Sequence, residues 1–192
     1  MSKAKKEVIK EDKQIEEAKV SLERINSWIN SCDSKAGTVL ALVGVILTII
    51  FTNDGIMAIK NLINQLLPPK SFCMVLYLFF LSSTLVGMIY GVIHLINVLI
   101  AKIDVTIFAE QEIQTNSILF FGSISNKNSY IDFKREVLNL NKQAYLNDLL
   151  SQIYINSKIA QKKYENYNKG IKWTILGFVI FIAFLLIGIY LY

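Results

Sequence analysis

A helix crosses the hydrocarbon core of a bilayer with about 20 mostly apolar residues. Three blocks of this 192-residue chain qualify: residues 36–52 with their flanks, 71–101 and 173–192. No other feature restricts the fold as strongly, because a chain in lipid must satisfy its backbone polar groups internally, and separate apolar blocks do so as helices. With 53% hydrophobic residues against 18% charged, and a mean hydropathy of +0.42, the chain lies outside the soluble range. The expectation is an all-α membrane protein with three transmembrane helices and long helical cytoplasmic extensions.

Charge orients it. Eight basic residues precede the first block (Lys3, Lys5, Lys6, Lys10, Lys13, Lys19, Arg24 and Lys35), whereas only Lys60 and Lys70 lie between the first and second. Ten more, from Lys102 to Lys172, lie between the second and third. The positive-inside rule places the N-terminus and the second loop in the cytoplasm and the C-terminus outside. The predicted organisation is a cytoplasmic N-terminal helix over 1–35 continuous with span one at 36–52, then an external loop with an amphipathic helix over 53–70. Span two follows at 71–101, a cytoplasmic helical hairpin region at 102–172 and span three at 173–192, giving a multi-pass protein of the inner membrane. The charged N-terminal residues interrupt any signal-peptide core.

Apolar residues Ile15, Ala18, Leu22, Ile25, Ile29, Cys32 and Ala36 recur at three-four spacing, which predicts one long helix entering span one. Gly37, Ala41 and Gly44 continue as a small-residue stripe suited to close helix packing, and Gly87 and Gly91 offer a second in span two. In the external loop, Ile56, Ile59, Ile63, Leu66 and Leu67 form the expected apolar face. His94, the single histidine, is read as an interfacial residue satisfied by a neighbouring helix. Cys32 and Cys73 fall at opposite membrane faces and are expected to remain free thiols.

After span two the pattern predicts a helical extension through "AKIDVTIFAEQEIQTN". Ser129 with Asp132 makes a capping signal, so a helix is expected from Tyr130 that runs on into span three with only Gly170 interrupting it. Asp33 and Lys35 charge the inner lip of span one, yet two residues apart they do not share a helix face. Lys35 can reach headgroups; Asp33 is expected to pair with a base on the return helix or a neighbouring protomer, with Lys158, Lys162 and Lys163 as candidates.

Catalytic sets are missing from the sequence: one His, no HExxH, no phosphate-binding loop and no paired carboxylates in an apolar setting. The chain reads as non-enzymatic, with no metal and no cofactor. What remains is "LFFGSIS", where Phe120 and Phe121 offer ring faces, Gly122 a permissive backbone and Ser123 a hydroxyl, suited to a base and a phosphate. Packing of both rings in a helical core is the open alternative. The lysines from Lys158 to Lys172 serve either as topology anchors or as a basic wall holding an anion.

"SWINSCDSKAGTVLALVGVIL", with Asp33, Lys35 and Ala36, resembles the opening of the transmembrane effectors of Pycsar antiphage systems, and "LFFGSIS" resembles their Phe-Phe-Gly turn. "YLNDLLSQIYINSKIAQKKY" is similar to their return helix at Tyr154, Lys158, Lys163 and Tyr164. The resemblance runs from about Ser21 to span three. It implies a ligand, cyclic UMP or cyclic CMP, made by a partner uridylate or cytidylate cyclase, and an effector that impairs the inner membrane and causes abortive infection. Phe120, Phe121, Gly122, Ser123, Lys158 and Lys163 become the candidate ligand site. The expected partners are that nucleotide, the lipid bilayer and further copies in a homo-oligomer, with no nucleic acid. A membrane adaptor whose cytoplasmic helices dock another protein is the alternative.

Overall fold

The computed structural model describes residues 3–67, 71–100, 113–114 and 116–191, with side chains described from 8 to 190. Every regular element among them is a helix: α1 (Lys3–Ile50), α2 (Asn53–Leu66), α3 (Phe72–Leu99), α4 (Phe121–Ser125), α5 (Tyr130–Leu138) and α6 (Lys142–Leu191). Three helices, α1, α3 and α6, are long and apolar enough to cross a membrane. The protein is an all-α membrane protein. Most of the predicted extension of span two lies outside the described residues, as does the Pro68–Pro69 close of the first loop.

The chain divides into two compact units, one of residues 1–31 with 101–162 and one of 32–100 with 163–192. In the first, Ile15 and Ala18 of α1 are buried with Leu146 and Leu149 of α6, flanked by Leu22, Tyr145 and Ile153. In water, burial of each such Leu or Ile contributes about 2 kcal/mol. Lys142 bonds Asp12 at 2.5 Å and Asn156 bonds Asn26 at 3.0 Å along the same pairing.

The second unit is held by close approach, because lipid tails are as apolar as the helices themselves. A Cβ built on Gly91 would stand 2.5 Å from the Thr174 nitrogen and 2.9 Å from the Gly170 carbonyl oxygen, and one on Gly170 would stand 2.8 Å from Leu95. Gly170, expected as a weak point in a long helix, is therefore the site where α6 meets α3. Gly37 and Gly44 face no neighbouring atom within 4 Å.

Two expectations need correction. Span two does not run through to 101 as helix: α3 ends at Leu99, and Ile100 turns to extended backbone (φ −66°, ψ 122°). The helix begun at Tyr130 does not feed span three, because α5 stops at Leu138 and α6 starts afresh at Lys142. The Asn141 side chain accepts from the N–H of Ala144 at 2.7 Å, making Asn141 a cap for the new helix. In α2, Leu62 and Leu66 are buried against Tyr77, while Ile56, Ile63 and Leu67 stay exposed. The expected apolar face thus divides: Leu66 joins Leu62 against the protein and Ile59 is half-buried, while Ile56, Ile63 and Leu67 point outward. Ser129 does cap α5, its Oγ accepting from the N–H of Asp132 at 3.2 Å.

Candidate functional site

Residues 114 and 116–120 approach the Phe-Phe-Gly turn without forming a helix, so their backbone donors need other acceptors. Two α6 side chains provide them: Ser151 Oγ accepts from the N–H of Gln114 at 3.0 Å, and Asp148 Oδ2 accepts from the N–H of Ile118 at 2.9 Å. Ser117, fully buried, accepts through its Oγ from Leu119 and Phe120 at 3.0 and 3.1 Å. The segment is a strap fastened to α6 one turn apart. Asp148 is itself fully buried, and its second oxygen has no hydrogen-bond partner.

The strap delivers Phe120 and Phe121 with ring centroids 4.9 Å apart, tilted at 54°. Phe121 is 66% exposed, which removes the reading of both rings as core. A Cβ on Gly122 would come within 2.5 Å of the Phe120 ring; glycine is what lets that ring fold over the turn. Ser123 is half-buried beside it. Beyond the turn Lys127 bonds Asn116 at 2.8 Å and pairs with Glu136, and Asn116 also donates to Glu136 at 3.4 Å. This triangle ties the start of the strap to α5.

The remaining candidates separate. Lys158 belongs to the same unit as the turn, with its ammonium 5.1 Å from the Tyr154 ring centroid. Lys163 belongs to the other unit. Its Nζ, nearly buried, donates to Asp33 Oδ1 at 2.6 Å and to the Val98 carbonyl at 2.5 Å. The ammonium therefore caps the C-terminal end of α3, where the helix dipole and unpaired carbonyls favour a cation, while neutralising the acid at the lip of α1. Beside it Cys32, Ala36, Leu95 and Val98 are buried with Tyr164 and Tyr167 packed on them. Ala36 is core, whereas Lys35 is exposed. His94 meets Asn166 of α6 at 2.8 Å and the edge of Tyr90. Of the small residues, Gly91 packs tightly, Gly87 stands 3.7 Å from Trp173 and Gly37, Ala41 and Gly44 line an open face. No three His, Cys, Asp or Glu side chains converge on a metal-sized site among the described residues.

Sequence reasoning passed over Asp148, Ser117 and Ser151. One signal was available: "YLNDLL" sets a carboxylate between Leu146 and Leu149, on or beside the apolar seam, where an acid must find donors. Asp148→Ala is expected to free the strap while leaving α6 folded, since the unmade bond costs about 1–3 kcal/mol. Amide exchange at Ile118 should accelerate about tenfold or more, with exchange in the α6 core unchanged; equal protection in both proteins would deny the strap its anchor.

These features define a helical membrane protein in which a ring-bearing turn outside the apolar blocks is strapped to a helix that itself carries a spanning-length apolar run. The chain belongs to the Pycsar effector family. The Pycsar effector protein domain matches residues 17–189. The Pycsar effector protein GmPycTM of Gulbenkiania mobilis is 37% identical over 185 residues, covering 92% of this chain and 93% of that protein. The protein is accordingly an effector of antiphage defence. No solved structure matches it.

Proposed function

We propose that the protein is a non-enzymatic effector that responds to cyclic UMP or cyclic CMP from a partner cyclase by impairing the integrity of the inner membrane, ending infection with the cell. The observation that carries this reading is the exposed Phe121 ring on a turn whose backbone is pinned to α6 by Asp148 and Ser151. A pyrimidine can stack on such a ring, and base stacking contributes about 1–3 kcal/mol. Gly122 and Ser123 would give a cyclic phosphate small, polar neighbours, and of the two candidate lysines Lys158 is the one in the same unit. Lys163, committed to Asp33 and Val98, is reassigned from ligand contact to the helix lip.

A ligand moves a two-state protein only by its differential affinity for the two states. The strap offers a means: binding that repositions Phe120 and Phe121 pulls on Asp148 and Ser151, which belong to the helix carrying the third apolar block. The N-terminus and the strap lie in the cytoplasm in this reading, the C-terminus outside, and protomers associate in the membrane through the open Gly37, Ala41, Gly44 face.

Purified protein in dye-loaded liposomes is expected to release dye when cyclic UMP or cyclic CMP is added. Phe121→Ala should raise the half-maximal concentration about tenfold or more. Leakage indifferent to both nucleotides would sink direct sensing and favour a partner-docking adaptor.

A further inference from the structure

Beyond the nucleotide reading, and independent of it, the first unit carries two open surfaces that complement each other. The nine-residue α5 exposes Tyr130 at 74%, Ile131 at 66% and Leu138 at 73%. Ile131 and Leu138 lie two turns apart on one face, with Lys134 and Arg135 between them. Such large apolar side chains, outside every spanning segment and interleaved with cations, form an unpartnered face. The second surface is a groove of about 340 Å³ between α1 and α6, with an apolar floor that includes Ala18, Leu146, Leu150 and Ile153. Glu17 stands at its rim, and Glu16 and Val20 line the adjoining hollow, with Arg24 at the far end of that hollow.

We propose that α5 of one copy docks into the α1/α6 groove of another, placing Ile131 and Leu138 on the apolar floor and Lys134 and Arg135 against Glu16 and Glu17. The charges select this occupant. Two α5 faces meeting each other would oppose Lys134 and Arg135 to their own copies, a like-charge contact that costs affinity. Anionic lipid has little hold on α5, because Asp132 and Glu136 cancel its two cations. Glu16 and Glu17 now pair with Lys19 and Lys13 on their own helix, at 2.8 and 3.6 Å. Exposed pairs of that kind contribute little, so an intermolecular cation can replace them without loss. The two surfaces are different patches of one chain, which makes the contact heterologous. Repeated, it closes a ring or extends a filament rather than stopping at a dimer.

The test uses the full chain in detergent micelles and in vesicles. With a photo-crosslinking phenylalanine analogue at position 138, and isotopically light and heavy protomers mixed, adducts between copies are expected on peptides covering 14–21 or 146–153. Adducts confined to α5 of another copy, adducts to lipid alone, or no adduct between copies would each overturn the proposal. Lys134→Glu with Arg135→Glu, and separately Glu16→Lys with Glu17→Lys, should each weaken association about tenfold, and the four changes together should restore it. Association unaffected by either pair, or unrestored in the combination, also overturns it.

Discussion

Asp33→Ala is expected to lower the thermal unfolding midpoint of the detergent-solubilised protein by about 4–8 °C, and more than Lys163→Met does. The asymmetry comes from burial. Lys163 has 8% of its side chain exposed and Asp33 35%, so removing the acid strands a nearly buried ammonium whose other acceptor among the described residues is the Val98 carbonyl. Breaking a fully buried pair costs about 3–5 kcal/mol; water reaches the Asp33 side, so about 2 kcal/mol is the expected loss here. For a chain of this length each kcal/mol moves the midpoint by about 2–4 °C. Lys163→Met leaves a carboxylate that solvent can reach and a helix end without its cap, a smaller loss. The double variant should recover part of the stability lost in Asp33→Ala, because it removes the stranded charge as well. If Asp33→Ala unfolds at the wild-type midpoint, the pair does not hold α1, α3 and α6 together.

Gly91→Leu is expected to be the more damaging change. Its first side-chain carbon alone would lie 2.5 Å from both the nitrogen and the hydroxyl oxygen of Thr174. The hydroxyl can turn aside but the backbone nitrogen cannot, so α3 and α6 must separate, and overpacking of this kind costs about 3 kcal/mol, the upper end of the usual range. Near-complete loss of folded protein on size-exclusion chromatography is the expected readout. Gly44→Leu is the matched control, since a Cβ there meets nothing within 4 Å. Its midpoint should remain within about 2 °C of wild type. Should Gly44→Leu keep its fold and lose its association in the membrane, that stripe belongs to the contact between copies. Equal tolerance at both positions would show that the crossing at Gly91 does not hold the spans.

The lip at Asp33 illustrates how far residue patterns reach. An acid at the mouth of an apolar helix gains nothing from anionic headgroups, which pointed to a protein partner on the return helix. Which lysine answered depended on rotation of α6 about its axis and on where α3 ended. Lys163 fills the role because it reaches a carbonyl at the α3 terminus as well as the carboxylate. Likewise "FFGS" marked a turn by its residue types, whereas Asp148 and Ser151, which fasten it, were hidden in an apolar seam some thirty residues further along.

The amino-acid sequence by itself determined the class and the three helices long and apolar enough to cross a membrane, because the backbone's need for internal hydrogen bonds favours helices in apolar blocks of that length. It also set the α5 cap at Ser129, a matter of neighbouring atoms only. Tertiary structure alone decided that Gly170 is a contact rather than a weakness, and that Leu62 meets the protein while Ile56 and Ile63 of α2 point outward. In both cases the local pattern admits two faces, and the choice is made by a partner elsewhere in the chain: Leu95 for Gly170 and Tyr77 for Leu62.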